Sequence, residues 1–424
     1  MKFLENINKE EYEAFVKNSS FGHFMQSYDF GQIRKQKNFT AHYVGMKDGH
    51  KLVCTALLLE KKLPFHYCYF YCPRGYVIDF SNRDLVKTFT SELRKFAKKK
   101  KAIFIKIDPA IKLHNLDSDG NVKEEVNNYD LVEFLKKNGY RHLGYNVGFE
   151  HEQPRFTFRI PLTQSFDTIY QRMHPTTKKI LNKGNQYQLE IYKGNEKDLD
   201  DFYLTMKETS KREGIVQAPL SYYRSFYQIF HHDHMSDLYI VKADPKKLKQ
   251  VMQKKIEKVT QEITKLETTT TKNKDKAQNK LYDLKKQLEK LNKDNIAIQA
   301  LSDEKIVLSS IITVKYGNGV WTVHGGNNSQ LMWLNANYLC YYTILKDAYD
   351  EGYQWLDCFG ASGIANPKSS DPIFGLHFFK KRLGGEYIEF IGEFDFIVHP
   401  FLYWFFITFI PIHRWIAKKK GKKN

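Results

Sequence analysis

The feature that most constrains the fold is a pair of lysine-rich segments in which apolar residues alternate at intervals of four and three. The apolar positions are Met252, Ile256, Val259, Ile263 and Leu266 in the first segment and Ala277, Leu281, Leu284, Leu288 and Leu291 in the second. This heptad spacing predicts two helices, each with one apolar stripe. Because both are too short for a stable long dimer and only the polar linker TTTTKNKDK separates them, we expect an antiparallel coiled-coil hairpin over 246–299.

The chain on either side of this hairpin alternates between strand and helix patterns. Runs dense in β-branched and aromatic residues predict strands at 41–47, 51–61, 68–80, 102–109, 237–242, 305–314, 319–324 and 355–359. Amphipathic spacing predicts helices at 83–101, 165–183, 197–213 and 336–351. The sequence therefore predicts a mixed α/β (α+β) protein whose second half is interrupted by the hairpin.

The position of the hairpin predicts the domain organisation, because strand patterns resume after it. The expected units are a first subdomain at 1–147 with a C-terminal return at 396–412, a second subdomain at 148–245 and 300–395, a coiled-coil arm at 246–299 and a basic tail at 413–424.

The net charge of +18 is concentrated in two places. Residues 246–293 carry +9 and residues 413–424 carry +6, which leaves only +3 for the rest of the chain. A basic surface over the whole body, as in a histone-like DNA-binding protein, is therefore excluded. The lysine-rich face of the arm either contacts a polyanion such as an RNA backbone or is a solvated face of an arm that only packs on the body.

The termini and the cysteines indicate where the protein works. The N-terminal stretch MKFLENINKEEYEAF has no apolar run of the signal-peptide kind, and the five cysteines show neither a CxxC pair nor paired zinc spacing, which favours a cytoplasmic protein with reduced thiols. The segment PFLYWFFITFIPI at 400–412 is too short to span a bilayer. Its aromatic residues and the lysine run that follows suit the inner membrane surface, and the alternative is a helix packed on the body with a solvated tail.

Common catalytic motifs are missing: there is no phosphate-binding glycine loop, no GxSxG and no HExxH. We expect no metal site and no cofactor. Two charged residues in apolar surroundings are the candidates for chemistry. Asp108 follows the strand AIFIKI and is either a turn former or a carboxylate facing a cleft, and Lys380 follows HFF and is either an electrostatic stabiliser or a surface cation.

Several strings, taken together, resemble the Fem-type (FemABX) peptidyltransferases of Gram-positive bacteria. They are FMQSYDFGQIRK (24–35), YCPRGYVIDF (71–80), FIKIDP (104–109), QPRFTF (153–158), TSKREGI (209–215), FGASG (359–363), GLHFFKK (375–381) and IGEFDF (391–396). They occur in family order through nearly the whole chain, with the lysine-rich hairpin between them. The resemblance implies two N-acetyltransferase-like subdomains and an arm that engages tRNA.

The resemblance also implies an aminoacyltransferase that builds the interpeptide bridge of peptidoglycan. The donor would be aminoacyl-tRNA, and the acceptor would be the side-chain amine of the third stem-peptide residue on lipid II or on a nucleotide-linked muramyl peptide. Ester aminolysis needs no covalent enzyme intermediate, in agreement with the missing nucleophile motifs. The amino acid transferred, the bridge position and the oligomeric state stay open. The alternatives are a coenzyme A-dependent N-acyltransferase and a non-enzymatic adaptor that binds RNA or membrane.

Residue roles follow from the resemblance position by position. The family's Phe-Lys pair falls on Phe379 and Lys380, which makes Lys380 the expected stabiliser of the tetrahedral intermediate. Asp108 matches the aspartate expected to orient the acceptor amine. Arg212 matches an arginine that binds the precursor phosphates, and the corresponding N-terminal cation is either Arg34 or Lys35.

Overall fold

The computed structural model describes residues 1–123, 126–268, 274–371 and 373–409, which fold around two mixed β-sheets. The strands of the first sheet are β1 (Lys2–Leu4), β2 (Thr40–Asp48), β3 (Lys51–Lys62), β4 (Cys68–Cys72), β5 (Ala102–Ile107), β8 (Tyr140–His142) and β16 (Phe394–Ile397). The strands of the second are β6 (Lys112–Leu116), β7 (Val122–Lys123), β9 (Phe156–Pro161), β10 (Glu190–Gly194), β11 (Ser236–Ala243), β12 (Ile306–Tyr316), β13 (Gly319–Asn327), β14 (Trp355–Asp357) and β15 (Glu386–Phe390).

Helices cover both sheets and form the arm. They are α1 (Lys9–Asn18), α2 (Tyr28–Lys35), α3 (Arg83–Lys99), α4 (Tyr129–Lys137), α5 (Phe166–Arg172), α6 (Pro175–Gln186), α7 (Leu199–Glu213), α8 (Leu220–His232), α9 (Pro245–Thr268), α10 (Lys274–Gln299), α11 (Ala336–Asp350) and α12 (Phe374–Lys381). Residues 400–409 form one more helix, called here the C-terminal helix. The predicted mixed α/β class is confirmed.

The two sheets exchange segments of the chain. The strand order is β1-β2-β3-β4-β5-β16-β8 in the first sheet and β10-β11-β12-β13-β14-β9-β15-β6-β7 in the second. Strands β6 and β7 precede residue 147 yet pair in the second sheet, whereas β16 lies near the C-terminus and pairs in the first. The domain boundaries drawn from the sequence stay a prediction. Local sequence patterns could not have shown these exchanged strands, because they carry no information about which strands pair.

A shared core joins the two sheets. It combines Phe24 and Phe30, which precede β2, with Phe230 of α8 and Trp321 of β13, and all four side chains are buried. The ring centroids of Phe24 and Trp321 lie 5.1 Å apart in an edge-to-face arrangement. This apolar contact fixes the first sheet against the second, so side chains from both can form one site.

The arm is the predicted antiparallel hairpin. Val259 and Ile263 of α9 pack with Leu284 of α10, and the predicted stripe residues Leu266, Leu281, Leu288 and Leu291 surround them. The direction follows from ion pairs at both ends: Lys249 contacts Asp303 at the base, and Glu267 contacts Lys285 near the tip. These stripe residues therefore meet between the helices, as heptad spacing requires, whereas Met252 and Ile256 pack in the core of the body.

Two predicted elements differ from the structure. The strand expected at 68–80 ends at Cys72, because Pro73 has no N–H for the ladder and Arg74 adopts a positive φ of 53°. The helix expected at 165–183 is two helices, since the extended His174 precedes Pro175, which begins α6. The remaining predicted strands and helices are present within a few residues of their expected ends.

The C-terminal helix exposes large aromatic side chains. Tyr403 is buried against Phe104 of β5, whereas Phe401 is 82% exposed and Trp404, Phe405 and Phe409 are also exposed. None of the helices in the described part of the chain combines the length and the apolar composition needed to cross a bilayer. The basic tail predicted at 413–424 lies outside the described residues.

Candidate active site

Asp108 lies one residue beyond the end of β5 and is buried, with 3% of its surface exposed. Its Oδ2 accepts a hydrogen bond of 2.8 Å from the hydroxyl of Tyr71, and its Oδ1 accepts one of 2.5 Å from the backbone N–H of Arg74. Burial, together with a smaller effect of nearby Glu393, raises the pKa of Asp108 to about 7, despite the lowering effect of Arg74 and these hydrogen bonds. Asp108 is therefore a carboxyl group that changes charge near neutral pH.

Arg74 connects Asp108 to the second sheet. Its backbone bends around the carboxylate, while its guanidinium donates a hydrogen bond of 2.7 Å to the carbonyl of Pro154 and lies 4.8 Å from the ring centroid of Phe390. Pro154 lies two residues before β9, and Phe390 ends β15. Arg74 thus holds the end of β4 against two strands of the other sheet.

Lys380 lies in the last turn of α12 and is 6% exposed. Its ammonium donates hydrogen bonds to the carbonyls of Phe359 and Gly360, and the Gly360 bond is 2.6 Å. Burial lowers the pKa of Lys380 to about 8, although Cys358 and Asp357 act in the opposite direction. Within the described residues its third N–H has no partner, so one donor is available to a bound molecule.

The FGASG loop presents these two carbonyls because its backbone turns sharply after β14. Phe359 has a φ of 54°, a conformation that costs a non-glycine residue free energy, and its N–H donates to Asp357 Oδ1 at 2.8 Å. Asp357 is itself held by Thr157 at 2.5 Å and by the guanidinium of Arg159 at 3.0 Å. Buried polar contacts therefore fix the loop that holds Lys380.

A continuous set of contacts links Asp108 to Lys380. Asp108 bonds to Arg74, and Arg74 bonds to the Pro154 carbonyl. The Pro154 ring lies where a side chain on Gly360 would be, 2.7 Å from the ideal Cβ position, and Gly360 accepts the bond from Lys380. The structure therefore links the two buried residues that were predicted as catalytic by one set of contacts that crosses between the sheets.

Asp108 does not itself line a small cavity of about 100 Å³, but its neighbour Pro109 and its partner Arg74 do. Its lining includes His23, Arg74, Pro109, Arg159 and Trp321. The pKa of His23 is held well below its usual range by burial and by the two arginines, so this histidine is neutral. Arg74 and Arg159 thus give this cavity a positively charged wall.

Phe379, which precedes Lys380 in the string GLHFFKK, packs against α11. Its ring lies 4.8 Å from the ring centroid of Tyr338 and 4.9 Å from that of Tyr341, both on α11. This edge-to-face contact anchors α12 on α11 and thereby positions Lys380.

The predicted phosphate-binding residues lie on two helices: α7, which packs on β13, and α2, which packs on β2. Arg212 lies in the last turn of α7, is partly exposed, and donates to Glu213 at 2.9 Å and to Ser329 at 3.1 Å. Arg34 lies in the last turn of α2 with its guanidinium 4.7 Å from the ring centroid of Phe39, and its Nε has no partner in the described chain. Lys35 is exposed and donates to Gln32. Arg34 therefore has the more constrained position of the two candidates.

Sequence reasoning did not assign roles to Arg74, Pro154, Phe359 or Gly360. Each lies within one of the strings quoted above. Arg74 could have been singled out from the sequence, because it is a charged residue inside the aromatic run YCPRGYVIDF. The carbonyl groups of Phe359 and Gly360, which accept from Lys380, could not be found from the sequence, because every residue carries a backbone carbonyl.

Three comparisons with known proteins identify the family to which this fold and these motifs belong. The FemAB family matches residues 7–409. A lipid II:glycine glycyltransferase of Staphylococcus aureus is 27% identical over 409 residues, which cover 94% of this chain and 93% of that protein, and the same enzyme of strain MRSA252 matches equally. The crystal structure of FemX superposes with a TM-score of 0.74 at 26% identity and covers 96% of this chain and 99% of that chain.

The fold is therefore that of a FemX-like α/β transferase, with two sheets and a helical hairpin inserted in the second. Because the family match extends over nearly the whole chain, the protein belongs to the FemAB family. The family resemblance of the motifs and the prediction of a transferase enzyme are both confirmed.

Proposed function

We propose that this enzyme transfers an amino acid from aminoacyl-tRNA to the side-chain amine of the third stem-peptide residue of a peptidoglycan precursor such as lipid II, or to the growing bridge. The observation that carries the proposal is the buried ammonium of Lys380, which has one N–H free in the described chain and a fixed position. The relatives support the same reaction class, since the Staphylococcus aureus protein is named as a lipid II:glycine glycyltransferase.

The reaction is the aminolysis of an ester. The neutral acceptor amine attacks the aminoacyl carbonyl carbon, a C–N bond forms, and the carbonyl oxygen gains negative charge. The free N–H of Lys380 donates to this oxyanion in a site from which water is largely excluded. The C–O bond to the tRNA ribose then breaks, the amine nitrogen loses a proton, and the ribose oxygen gains one.

The proposed role of Asp108 is to orient the amine of the acceptor substrate. As a carboxylate it accepts a hydrogen bond from an amine, and its pKa of about 7 gives it both charge states at neutral pH. Its two protein partners, Tyr71 and Arg74, fix the carboxylate plane before the acceptor binds. Preorganisation of this kind lowers the entropic cost of reaching the reactive geometry.

Arg212 and Arg34 are proposed to bind the diphosphate of the precursor, with Lys35 as the second N-terminal candidate. A planar guanidinium bonds two phosphate oxygens at once, which suits a diphosphate better than a point charge does. The partly exposed Arg212 and the unpartnered Nε of Arg34 leave donors for this purpose.

The enzyme is proposed to work at the inner face of the cell membrane. The exposed aromatic residues of the C-terminal helix support this location, because aromatic rings partition into the headgroup region of a bilayer. Phe65, 87% exposed between β3 and β4, lies near the same helix, since Leu63 and Tyr67 belong to its apolar cluster. This location agrees with a lipid-linked acceptor.

The test is incubation of the enzyme with lipid II and tRNA charged with glycine, alanine or serine, followed by mass spectrometry of the stem peptide. An added residue on the third-position side chain is expected. Transfer from acetyl-coenzyme A instead would replace the proposal with an N-acyltransferase, and binding of both substrates without turnover would replace it with an adaptor.

A further inference from the structure

A cleft of about 460 Å³ lies between the arm and the body. Helix α6, both arm helices and the residues before α11 form its walls. Its volume is typical of a small-ligand site, for which about 300–1,000 Å³ is usual. The reaction residues Asp108 and Lys380 do not line it.

Aromatic rings form one end of the cleft. Tyr187 and Trp333 both line it, with ring centroids 5.5 Å apart and planes at 80°. The indole N–H of Trp333 is buried and has no hydrogen-bond partner in the described chain. A buried donor without a partner costs free energy, so a bound acceptor at this point would recover it.

Four lysines also line the cleft. Lys183, Lys258 and Lys290 line the cleft from three different helices, and among the described residues none of them has an ion pair or a hydrogen bond. Lys255 lies 4.0 Å from the ring centroid of Tyr187 and donates to Gln186. Glu262 and Asp294 are the acids of the lining, which leaves two positive charges in excess.

This combination selects a class of ligand. An apolar ligand would leave four lysines desolvated, and a metal ion would meet repulsion from them. A nucleoside phosphate fits both the aromatic and the lysine side chains of the lining. Its base packs on an aromatic ring, and its phosphate binds the unpaired ammonium groups. The side-chain amides of Gln287 and Asn335 add groups that bond to base edges.

A short series of contacts connects the cleft to the helix that carries Lys380. Asn335, which lines the cleft, is the residue before α11, and Tyr338 in the first turn of α11 contacts Phe379. Phe379 is the neighbour of Lys380 in α12. One turn of α11 and one ring contact therefore separate the cleft from the helix that carries the reactive ammonium.

We propose that this cleft binds an unpaired nucleotide of the RNA donor, with the base against Tyr187 and Trp333 and the phosphates on Lys183, Lys258 and Lys290. This inference rests on the proposed function for the identity of the RNA, but the site itself is defined by nucleoside phosphate chemistry. A free nucleotide is the other source of that chemistry.

The test measures binding without any acceptor. A fluorescein-labelled single-stranded RNA dodecamer and adenosine monophosphate are titrated separately into the full-length protein and into a Lys183→Gln/Lys290→Gln variant. Both lysines are exposed, so the fold should be kept. We expect RNA affinity to fall about tenfold and the slope of log affinity against log salt to shrink by about one to two, because two phosphate contacts are lost.

The matched control is Lys280→Gln/Lys286→Gln, which removes the same charge from two exposed arm positions that do not line the cleft. Equal losses in the two variants would overturn the proposal in favour of a diffuse electrostatic arm. A Trp333→Leu variant gives a second readout: it should weaken RNA binding about tenfold, as loss of one stacked base does, and unchanged affinity would count against the cleft.

Two further outcomes separate this inference from the proposed function. If the wild type transfers amino acids and the cleft variants bind RNA normally, the cleft assignment is wrong and the function stands. If the cleft variants lose RNA binding and the wild type transfers from no aminoacyl-tRNA, the binding site stands and the function is wrong. Tighter binding of adenosine monophosphate than of RNA would identify a free nucleotide as the ligand and overturn the RNA assignment.

Discussion

The ammonium nitrogen of Lys380 lies 2.6 Å from the carbonyl oxygen of Gly360. The lysine is therefore held by the loop after β14 and not by an acidic side chain. An ammonium with carbonyl partners keeps its full charge for a developing oxyanion, whereas a paired carboxylate would neutralise much of it. This arrangement is the basis of the first three predictions.

Replacing Lys380 with alanine should lower kcat by about 100- to 1,000-fold, since one oxyanion donor contributes about 3 kcal/mol to the transition state. The measurement is transfer to lipid II under saturating substrate. Lys381→Ala is the control on the same helix, because Lys381 pairs with Asp119. A similar loss in both variants would contradict a specific role for Lys380.

The rate should depend on pH with an optimum between about 7 and 8. Asp108 has a pKa of about 7 and must be ionised to accept from the amine, so the rate rises as pH approaches that value. Lys380 has a pKa of about 8 and must be protonated to donate, so the rate falls above it. Asp108→Asn should remove the acidic limb, and an acidic limb that persists in this variant would assign it to another group.

Gly360→Ala should reduce kcat by about 100-fold, because a displacement of the reacting groups by about 1 Å has effects of that size. The new Cβ would lie 2.7 Å from the ring of Pro154 and 3.1 Å from Phe149, so the loop and its carbonyl must shift. Gly375→Ala is the control, as nothing lies within 4 Å of its Cβ position. Thermal unfolding of both variants checks that the effect is local.

Arg212→Gln should raise the KM for lipid II about tenfold and leave kcat nearly unchanged, since a charge-assisted phosphate contact contributes about 1.5–3 kcal/mol to binding. Arg224→Gln is matched to it, because Arg224 is an exposed arginine paired with Asp200. A fall in kcat at constant KM would place Arg212 in the chemical step.

Serine substitutions at Phe401, Trp404 and Phe405 should abolish co-flotation with phosphatidylglycerol vesicles, because these rings supply most of the exposed apolar surface of the C-terminal helix. Tyr282→Ser on the arm is the control, since Tyr282 is 68% exposed but distant in the chain. Transfer to a water-soluble acceptor should be unaffected, so its loss would indicate a structural role for the helix.

Much of the secondary structure was predictable because it depends on local periodicity. Alternating four and three spacing placed the apolar residues of α9 and α10 between the arm helices, where Val259 and Leu284 are buried. Proline positions explain the two errors, since Pro73 ends β4 and Pro175 begins a separate α6. The ordered motifs also determined the family, which the match over residues 7–409 confirms.

The sequence by itself determined the elements, the arm, the family and the identity of Asp108 and Lys380 as candidates. Only the tertiary structure decided which strands are neighbours, so that β16 joins the first sheet while β6 and β7 join the second. It also decided that Arg74, Pro154 and Gly360 connect the two candidates. These contacts join residues far apart in the chain, and they form only when packing of the shared core has brought both sheets together.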